Sequence, residues 1–502
     1  GIIGIFNFNF KIALAADLVV LVRTDATGAT VTKTLNTDYI IPTSSINADA
    51  GGNILFTSDT DDTNGGGILI LGGTVIDSNG GDITFAGGDT SGSGYATGRS
   101  VANSGWYIEG LRIGGTASNI VDIDSDGGNI IMRGKTSNNG GTGTSINNGN
   151  GGAGLSFYSG NIDINSGTGT LYLEGQSYTY GSIYSAGINF GIQNSSYTFN
   201  LSSSNTTSNA IRIVGNHNIN QTSGYTYGLE SFASGTIQAT GSGGGIRIDT
   251  EATGDVYGLA ASQELNILAA SGPIQLLDTR AGGYLYFGAA PYIGSKSGSS
   301  VTSSSSDITI QFDSFSWGDR TPNISTTGAV TVKPYSNSFQ NHADVHTGWF
   351  DWNDNSEVMS SLTFGKSTNE TKILIDQSIT SSGDISILAP VAADTADVEI
   401  SSGVSVTTTG DNKTIVIAAG DDFDNNSGSS ALVANGTGSR WIVYTADNNI
   451  EANFNSLNSA NTPIWSSTYS SLAPAGVSSG NRYVFAESAT QSITFTTTDE
   501  TI

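Results

Sequence analysis

The sequence predicts an all-β fold, specifically a parallel β-helix in which short strands stack into a solenoid. Glycine is abundant, with 67 residues, and charged residues make up only 12% of the chain. Ser, Thr, Asn and Gly take the place of the Lys and Glu of an average protein, and these residues form helices poorly. Hydrophobic residues still reach 37% and recur in short alternating bursts, which argues against a disordered chain.

A short module carries this prediction: one or two glycines, a polar residue, and then alternating apolar positions. Copies of the pattern begin at Gly51, Gly80, Gly127, Gly160, Gly244, Glu264, Asp307 and Gly383, at irregular intervals. Each predicted strand is too short to hold a core alone. Stacked on a like strand ~4.8 Å away, it buries one apolar face and completes its backbone ladder. A β-sandwich or a chain of small β-domains is the alternative, and the absence of long Greek-key connections favours the solenoid.

Changes in composition divide the chain into four predicted regions. They are an amino-terminal β-module at 1–50, a Gly-rich β-helix at 51–290, its continuation with divergent coils at 291–410, and a carboxy-terminal β region at 411–502. The apolar opening is strand-like, because Phe6, Phe8 and Phe10 alternate with other residues. No basic residue precedes it, so we expect a strand pair rather than a signal peptide. We therefore expect the chain to start inside a longer precursor or after a removed leader.

Charge and cysteine content indicate an exported protein. The net charge of −26 disfavours binding to nucleic acids and to anionic membrane surfaces. The chain has no cysteine, which excludes cysteine chemistry and is common in long bacterial surface proteins that cross the envelope unfolded. No segment reaches the ~18 consecutive apolar residues of a membrane helix. These observations predict a secreted, extracellular or cell-surface protein without membrane insertion.

Segments from Ile308 onward share a pattern of short strands and turns, and the last of them are rich in aromatic residues. They include Thr327–Val332, Leu362–Asn369, Ser382–Ile387, Arg440–Tyr444 and Asn481–Ala486. In these segments the sequence resembles the large filamentous haemagglutinin-like surface proteins of Gram-negative bacteria, most specifically between Ala418 and Thr498. The resemblance implies an exported, right-handed β-helix that acts as an adhesin or surface fibre, for instance in a biofilm matrix. The family's amino-terminal secretion domain, with its Asn-Pro-Asn motif, is not in this sequence, so the export route does not follow.

Residues 1–50 resemble a different protein class. Phe8–Ile12, Asp17–Val20 and Leu35–Tyr39 are similar to the small β-module at the start of some phage tail-fibre proteins. The alternative function is therefore a phage tail fibre or tailspike, or a β-helix that binds or degrades polysaccharide.

Clusters of ionisable residues give no catalytic signature. His342, Asp344 and His346 alternate like zinc ligands on one side of a strand, but we interpret them as a loop beside two tryptophans. The zinc-protease signature H-E-x-x-H does not occur. We therefore predict no enzyme activity, no catalytic residue and no metal-binding residue.

Acidic turns leave calcium as an alternative to this prediction. Asp122, Asp124 and Asp126 resemble the start of a calcium loop, although Arg133 stands where that loop needs Glu. Asp421, Asp422 and Asp424, and Asp59, Asp61 and Asp62, form similar runs. We interpret all three acidic runs as turns that face water. Calcium bound at solenoid turns is the alternative interpretation, and it is the one cofactor that the sequence suggests.

Asparagine and tyrosine have predicted roles within the coils. Stacked Asn side chains are expected to hydrogen-bond from coil to coil as ladders. Tyr178 and Tyr180, and Tyr225 and Tyr227, alternate in sequence, so one strand face is expected to carry tyrosines. We interpret them as packing residues, with sugar stacking as the functional alternative.

The two chain ends predict self-association. The apolar residues of the first ten are Ile2, Ile3, Ile5, Phe6, Phe8 and Phe10. The alternating segment Ser492–Thr498 has no evident cap after it. Two dissimilar, adhesive ends favour a head-to-tail polymer rather than a closed dimer. The predicted partners are therefore further copies of this chain and a host or neighbouring cell surface, with its glycans.

Overall fold

The computed structural model describes most of the chain in two compact units. The described residues are 18–19, 31–34, 39–41, 45–47, 51–59, 66–89, 91–98, 109–114, 120–136, 150–178, 184–191, 196–221, 226–254, 257–317, 320–352, 357–446 and 453–489. The first unit comprises residues 1–341 and 348–361, and the second comprises 342–347 and 362–502. The four regions drawn from composition stay a prediction.

Thirty short strands build the first unit as described. They are β1 Leu18–Val19, β2 Val31–Thr34, β3 Tyr39–Ile41, β4 Ser45–Asn47, β5 Ile54–Ser58, β6 Ile68–Ile70, β7 Val75–Asp77, β8 Ile83–Gly87, β9 Ala96–Thr97, β10 Leu111–Ile113, β11 Val121–Asp124, β12 Ile130–Lys135, β13 Asn150–Phe157, β14 Ile162–Asn165, β15 Leu171–Ser177, β16 Tyr184–Phe190, β17 Thr198–Ser203, β18 Ile211–Gln221, β19 Thr226–Ser231, β20 Ser234–Ala239, β21 Ile246–Gly254, β22 Tyr257–Ala261, β23 Leu265–Ala269, β24 Ile274–Asp278, β25 Tyr284–Phe287, β26 Tyr292–Gly294, β27 Ile308–Gln311, β28 Ser314–Trp317, β29 Asn323–Ser325 and β30 Ala329–Lys333.

These strands form three parallel sheets, which confirms the predicted β-helix. Sheet A has the order β1-β3-β6-β10-β13-β16-β19-β22-β25-β28, sheet C the order β4-β7-β11-β14-β17-β20-β23-β26-β29, and sheet B the order β2-β5-β8-β12-β15-β18-β21-β24-β27-β30. Strand β9 pairs with β12 beside this path. One coil takes one strand from each sheet, as in β10, β11 and β12.

The core consists of residues stacked in register from coil to coil. In sheet B the first apolar residue of each module forms one buried column: Ile54, Ile83, Ile130, Leu171, Ile211, Ile246, Ile274, Ile308 and Val330. Larger rings stack in the same way, and the parallel rings of Phe56 and Phe85 have centroids 5.4 Å apart. Repeated burial of one strand face is what the alternating pattern predicts.

The length of a coil varies because the turns differ. The hydrogen bond between Asn129 and Asp82 joins positions 47 residues apart on neighbouring coils. The equivalent bond between Ala329 and Asp307 spans only 22 residues. The irregular spacing of the module therefore reflects turns of different length inserted between strands that keep their register.

The polar residue of the module links consecutive coils. Asn129 Oδ1 accepts hydrogen bonds from the amide and the hydroxyl of Thr170, at 3.0 and 2.7 Å. Asp82 Oδ1 accepts from the amide of Asn129, at 2.7 Å, and Asn53 Oδ1 accepts from the amide of Asp82, at 2.8 Å. This asparagine and aspartate ladder satisfies the amides at the starts of β8, β12 and β15.

A buried serine ladder follows the corner between sheets C and B. Ser78, Ser125, Ser166 and Ser203 are at most 1% exposed. The hydroxyl of Ser166 donates to the carbonyl of Gly169, at 2.8 Å, and the hydroxyl of Ser203 donates to the same carbonyl, at 2.7 Å. These bonds supply partners for backbone groups that the tight corner buries.

Glycines allow sheets A and B to touch backbone to backbone. We call this set the glycine seam: Gly134, Gly154, Gly175, Gly187, Gly215 and Gly228. A Cβ atom on Gly134 would lie 2.2 Å from the carbonyl oxygen of Gly154, and one on Gly187 would lie 2.3 Å from the amide nitrogen of Asn216. Both distances are far below a van der Waals contact, so no other residue fits this seam without movement of the backbone.

The second unit is also a stack of parallel strands. They are β31 Asp344–His346, β32 Ser361–Gly365, β33 Lys372–Ile375, β34 Ile379–Ser381, β35 Ile385–Ala389, β36 Val398–Ile400, β37 Val406–Thr408, β38 Thr414–Ala419, β39 Phe423–Asn425, β40 Leu432–Ala434, β41 Arg440–Thr445 and β42 Arg482–Phe485. Sheet D has the order β32-β35-β38-β41-β42, sheet E the order β31-β33-β36-β39, and sheet F the order β34-β37-β40. Short 3-10 turns occur at Thr347–Trp349 and Pro474–Gly476.

A segment between β41 and β42, which we call the strap (residues 464–477), closes the second unit. Its Ile464, Tyr469, Leu472 and Val477 pack on an apolar cluster of sheet D that includes Val416, Ile442 and Tyr444. Arg440 fastens it by donating to the carbonyls of Pro474, Val477 and Ser478 at 2.7 to 2.9 Å. The strap also covers the outer edge of β42, because Phe485 donates to the carbonyl of Ile464 at 2.8 Å.

Candidate functional site

Tyrosines, arginines and carboxylates gather on the outer face of sheet B. Leu171 and Leu173 of β15 point into the core, so the alternating residues Tyr172, Glu174 and Gln176 lie on the outer face and are half-buried. Neighbouring strands β12, β18 and β21 add arginines to the same face, and we call the whole cluster the arginine–tyrosine face.

Glu174 is the acceptor at the centre of this face. The hydroxyl of Tyr172 donates to Glu174 Oε2 at 2.8 Å, and the hydroxyl of Tyr95 donates to Glu174 Oε1. Gln176 donates in turn to the Tyr95 hydroxyl, at 2.7 Å. Burial, and then the bond to Glu174, raise the pKa of Tyr172 to about 12 and raise the pKa of Tyr95 as well. Both hydroxyls therefore stay protonated and act as donors.

Arg133 holds the loop before β9 against the sheet. Its Nη1 donates to the carbonyl of Ser93 at 2.9 Å, and its Nε lies 3.5 Å from Glu174 Oε2. Its guanidinium also lies 5.3 Å from the ring centroid of Tyr172. With Tyr95 at its end, the loop forms one border of the arginine–tyrosine face.

Two further arginines share one carboxylate. Arg212 and Arg247 are register partners on β18 and β21. Arg247 Nε lies 2.8 and 2.9 Å from the two oxygens of Asp249, and Arg212 Nε lies 3.3 Å from one of them. The Asp249 side chain is 10% exposed, whereas those of Arg212 and Arg247 are 43% and 36% exposed. The carboxylate lies beneath two guanidiniums that reach the surface.

The acidic run at Asp122 is divided between a strand and a turn. Asp124 Oδ1 accepts from the amide of Asp126 at 2.7 Å, which closes the turn, and Asp126 adopts a positive φ of 52°. Asp122 lies on the outer face of β11, in register with Asp163. Partial desolvation at the strand surface, followed by repulsion from Asp163, raises the pKa of Asp122. The run is thus an acidic turn with one exposed neighbour, and calcium there stays a prediction.

The remaining acidic runs have different surroundings. Asp59 is buried, and Asp61 and Asp62 lie outside the described residues. Asp421 accepts the Thr445 hydroxyl through its backbone carbonyl, at 2.8 Å. Asp424 lies in register with Glu399 on sheet E.

His346 contacts two carboxylates on opposite sides of its ring. Nδ1 lies 2.8 Å from Asp376 Oδ2, and Nε2 lies 3.2 Å from Asp344 Oδ1. Metal ligands converge on one point, whereas this imidazole lies between its two carboxylate partners. Asp344 and His346, which the sequence analysis grouped together, do contact each other on β31. Asp376 is the second carboxylate partner of His346. Within the described ranges, no group of three His, Cys, Asp or Glu side chains is arranged to hold a metal ion.

Tyrosines also stack on sheet A. The rings of Tyr227 and Tyr257 are stacked with centroids 5.4 Å apart, and Tyr257 contacts Tyr286 at 5.7 Å. Tyr227 is only 6% exposed, which agrees with the packing interpretation. Tyr180 and Tyr225 lie outside the described residues, as do Ile2, Ile3, Ile5, Phe6, Phe8, Phe10 and Ser492–Thr498.

A comparison with protein-family models, curated proteins and solved structures finds no match. The filamentous haemagglutinin-like and tail-fibre resemblances therefore stay predictions. The part of the chain that the structure describes contains no helix with the length and apolarity of a membrane span.

The sequence analysis did not predict the arginine–tyrosine face. A signal for it exists, because Ile211–Ile213 and Ile246–Ile248 have the same sequence, Ile-Arg-Ile. Only the register of β18 and β21 turns this repeat into two adjacent guanidiniums.

Proposed function

We propose that the chain is an extracellular structural and adhesive surface protein whose β-helical first unit is a rigid scaffold for a binding face. The observation that carries the proposal is the in-register stack of sheets A, B and C, in which side-chain ladders satisfy the corners. A solenoid built this way offers a long flat surface without a mobile core, which suits binding through area and multivalency.

The binding face that best suits an adhesin is the arginine–tyrosine face. Its rings and guanidiniums are partly exposed and are held by hydrogen bonds, which lowers the entropy lost on binding. Rigid tyrosine and arginine side chains are enriched in binding hot spots. Glycans of a host or neighbouring cell are the proposed partners.

Beads coated with the full chain test this proposal. We expect them to adhere to cells, and we expect soluble protein or a mixture of cell-surface glycans to reduce adhesion. Beads coated with an unrelated protein of similar net charge are the control. If coated and control beads adhere equally, the adhesive function is wrong.

A polysaccharide-degrading β-helix is the second candidate. Asp122 and Asp163 are register partners on neighbouring strands. Their ~4.8 Å strand spacing is close to the ~5 Å that separates the carboxyls of retaining glycosidases. Both side chains are exposed. We expect no turnover on a polysaccharide panel, and turnover that Asp122→Asn abolishes would favour this candidate over the adhesin.

Self-association is the third part of the proposal. We propose that Ile2, Ile3, Ile5, Phe6, Phe8 and Phe10 add to the sheet of another copy by β-augmentation. Electron micrographs of the full chain should show filaments, and deletion of residues 1–12 should abolish them while the circular dichroism spectrum is retained. Filaments from the truncated chain, or a full chain that stays monomeric, would contradict this part.

A further inference from the structure

We propose that Arg212 and Arg247 form a binding site for the carboxylate of an acidic sugar. The site rests on the proposed adhesive function and gives it a ligand class. It lies on the outer face of sheet B, with Tyr172 on one side of the arginine pair and Gln275 on the other.

The arginines are held in place but not saturated. Among the described residues, Asp249 is the carboxylate that contacts either guanidinium. Each guanidinium has five N–H donors in a planar fork. Arg247 uses its Nε on Asp249, and Arg212 uses Nε and Nη2. The two side chains are 43% and 36% exposed, and the planar fork of a guanidinium suits the two oxygens of a carboxylate.

The charge balance selects a ligand with one negative charge. The chain has 18 Lys and Arg against 44 Asp and Glu, which repels extended polyanions. Two arginines over one aspartate leave a local excess of one positive charge on this face. A single carboxylate neutralises that excess, whereas a nucleic acid brings many charges to a protein of net charge −26.

The neighbours of the arginine pair suit the hydroxyls of a sugar. Tyr172, Arg212, Arg247 and Gln275 occupy one register column, and Thr309 follows Gln275. From Tyr172 to Gln275 the column spans three strand spacings, or about 14 Å, the length of two to three sugar rings. Gln275 and Thr309 are half-buried and present an amide and a hydroxyl beside the arginine pair.

To test the site, the full chain is titrated separately with glucuronate, glucose and acetate, and binding is followed by ligand-observed NMR. We expect glucuronate to bind more tightly than either glucose or acetate, because glucose lacks the carboxylate and acetate lacks the ring. We expect Arg212→Gln with Arg247→Gln to weaken glucuronate binding about tenfold or more, since charged hydrogen bonds are lost. Equal binding of acetate and glucuronate would overturn the sugar assignment, and equal binding of glucose would overturn the carboxylate assignment.

Matched variants keep the result interpretable. Arg280→Gln with Lys296→Gln removes the same charge from the same unit and should leave glucuronate binding unchanged. Arg212→Lys with Arg247→Lys keeps cations over Asp249, so the fold is retained, but it removes the planar forks and should also weaken binding. If both arginine variants bind glucuronate like the wild type, the site is wrong.

Bead adhesion measured with the same variants separates this site from the proposed function. Adhesion that survives in both arginine variants contradicts a role of this site in adhesion, while the adhesive function stands. Glucuronate binding without any adhesion contradicts the function while the site stands.

Discussion

Single polar residues hold the coils of the first unit together. Asn129 illustrates this, because its one amide oxygen accepts two hydrogen bonds from Thr170 on the next coil and its Nδ2 donates to Asp82 on the previous coil. Serines at the corner act in the same way from buried positions. The identity of such a residue matters more than its size, since an apolar replacement leaves an amide without a partner.

Replacement of Asn129 by Ala should therefore destabilise the first unit. Loss of its bonds to Thr170 and Asp82 is expected to lower the free energy of unfolding by about 1–3 kcal/mol. Urea unfolding followed by circular dichroism measures the change. Asn200→Ala removes side-chain bonds with Asp163 and Gln238 but leaves no backbone amide without a partner, so it is the control and should cost less than ~0.5 kcal/mol. Equal costs would show that the ladder has no special role.

At the scale of elements, the fold depends on close contact between strands and between a strand and a loop. The glycine seam brings sheets A and B within backbone contact, and the strap covers the apolar outer face of sheet D. Neither contact follows from the alternating pattern of a strand, because both depend on which elements become neighbours.

The seam predicts a large effect for one added methyl group. In Gly187→Ala the new Cβ would lie 2.3 and 2.7 Å from backbone atoms of Asn216 and Gly215. The first unit should lose about 1–3 kcal/mol of its unfolding free energy, because the backbone must move apart. Gly476→Ala is the matched control, since its Cβ would meet only the Leu472 side chain, at 3.1 Å. A Gly187→Ala protein as stable as this control would contradict the seam.

The strap predicts a local response to loss of Arg440. Arg440→Ala removes the bonds to Pro474, Val477 and Ser478. We expect faster proteolysis between residues 462 and 480. We also expect more binding of a hydrophobic dye, because the apolar cluster of sheet D around Ile442 becomes exposed. The circular dichroism spectrum should stay the same. Lys413→Ala, a nearby cation outside the strap contacts, should leave the cleavage rate unchanged, and similar rates for both variants would rule out the fastening role.

At the scale of the whole molecule, acidity and burial act together. The chain carries a net charge of −26, and Glu230 and Asp278 are among the buried carboxylates of the first unit. Burial raises the pKa of Glu230 to about 8, and burial with repulsion from Asp313 raises the pKa of Asp278 to about 7. Their ordinary values are 4.5 and 3.8, so these two carboxyls bind more protons in the folded chain than in the unfolded chain between about pH 4 and pH 8.

Stability should therefore fall as the pH rises through 7 and 8. The stabilisation from both protonated carboxyls is fully present below their ordinary pKa values and is lost above the raised ones. We expect a lower urea midpoint at pH 9 than at pH 5. Glu230→Gln keeps the shape without the charge, so it should match the wild type at pH 5 and exceed it at pH 9. An identical decline in both proteins would contradict the role of Glu230.

The sequence was sufficient for the fold and insufficient for the candidate site. The module predicts strands at Ile54, Ile83 and Ile130, and the structure stacks all three in register. The local alternation of apolar and polar residues is enough to predict this stacking, because each strand packs on neighbouring strands with the same alternating pattern. The arginine pair depends on which coils are adjacent after turns of variable length, and the contact between Tyr95 and Glu174 joins residues 79 positions apart. No local pattern encodes such distances.

The strap occupies the free edge of β42, the last strand that the structure describes, so another chain would have to compete with it for that edge. The outer edge of β42 already receives hydrogen bonds within the chain, from Ile464 to Tyr483 and from Phe485 to Ile464. A tethered segment acts at an effective concentration that a separate chain in dilute solution does not reach. An incoming strand at this edge must displace its occupant first, so association here would be slow and would accelerate when the strap is cleaved.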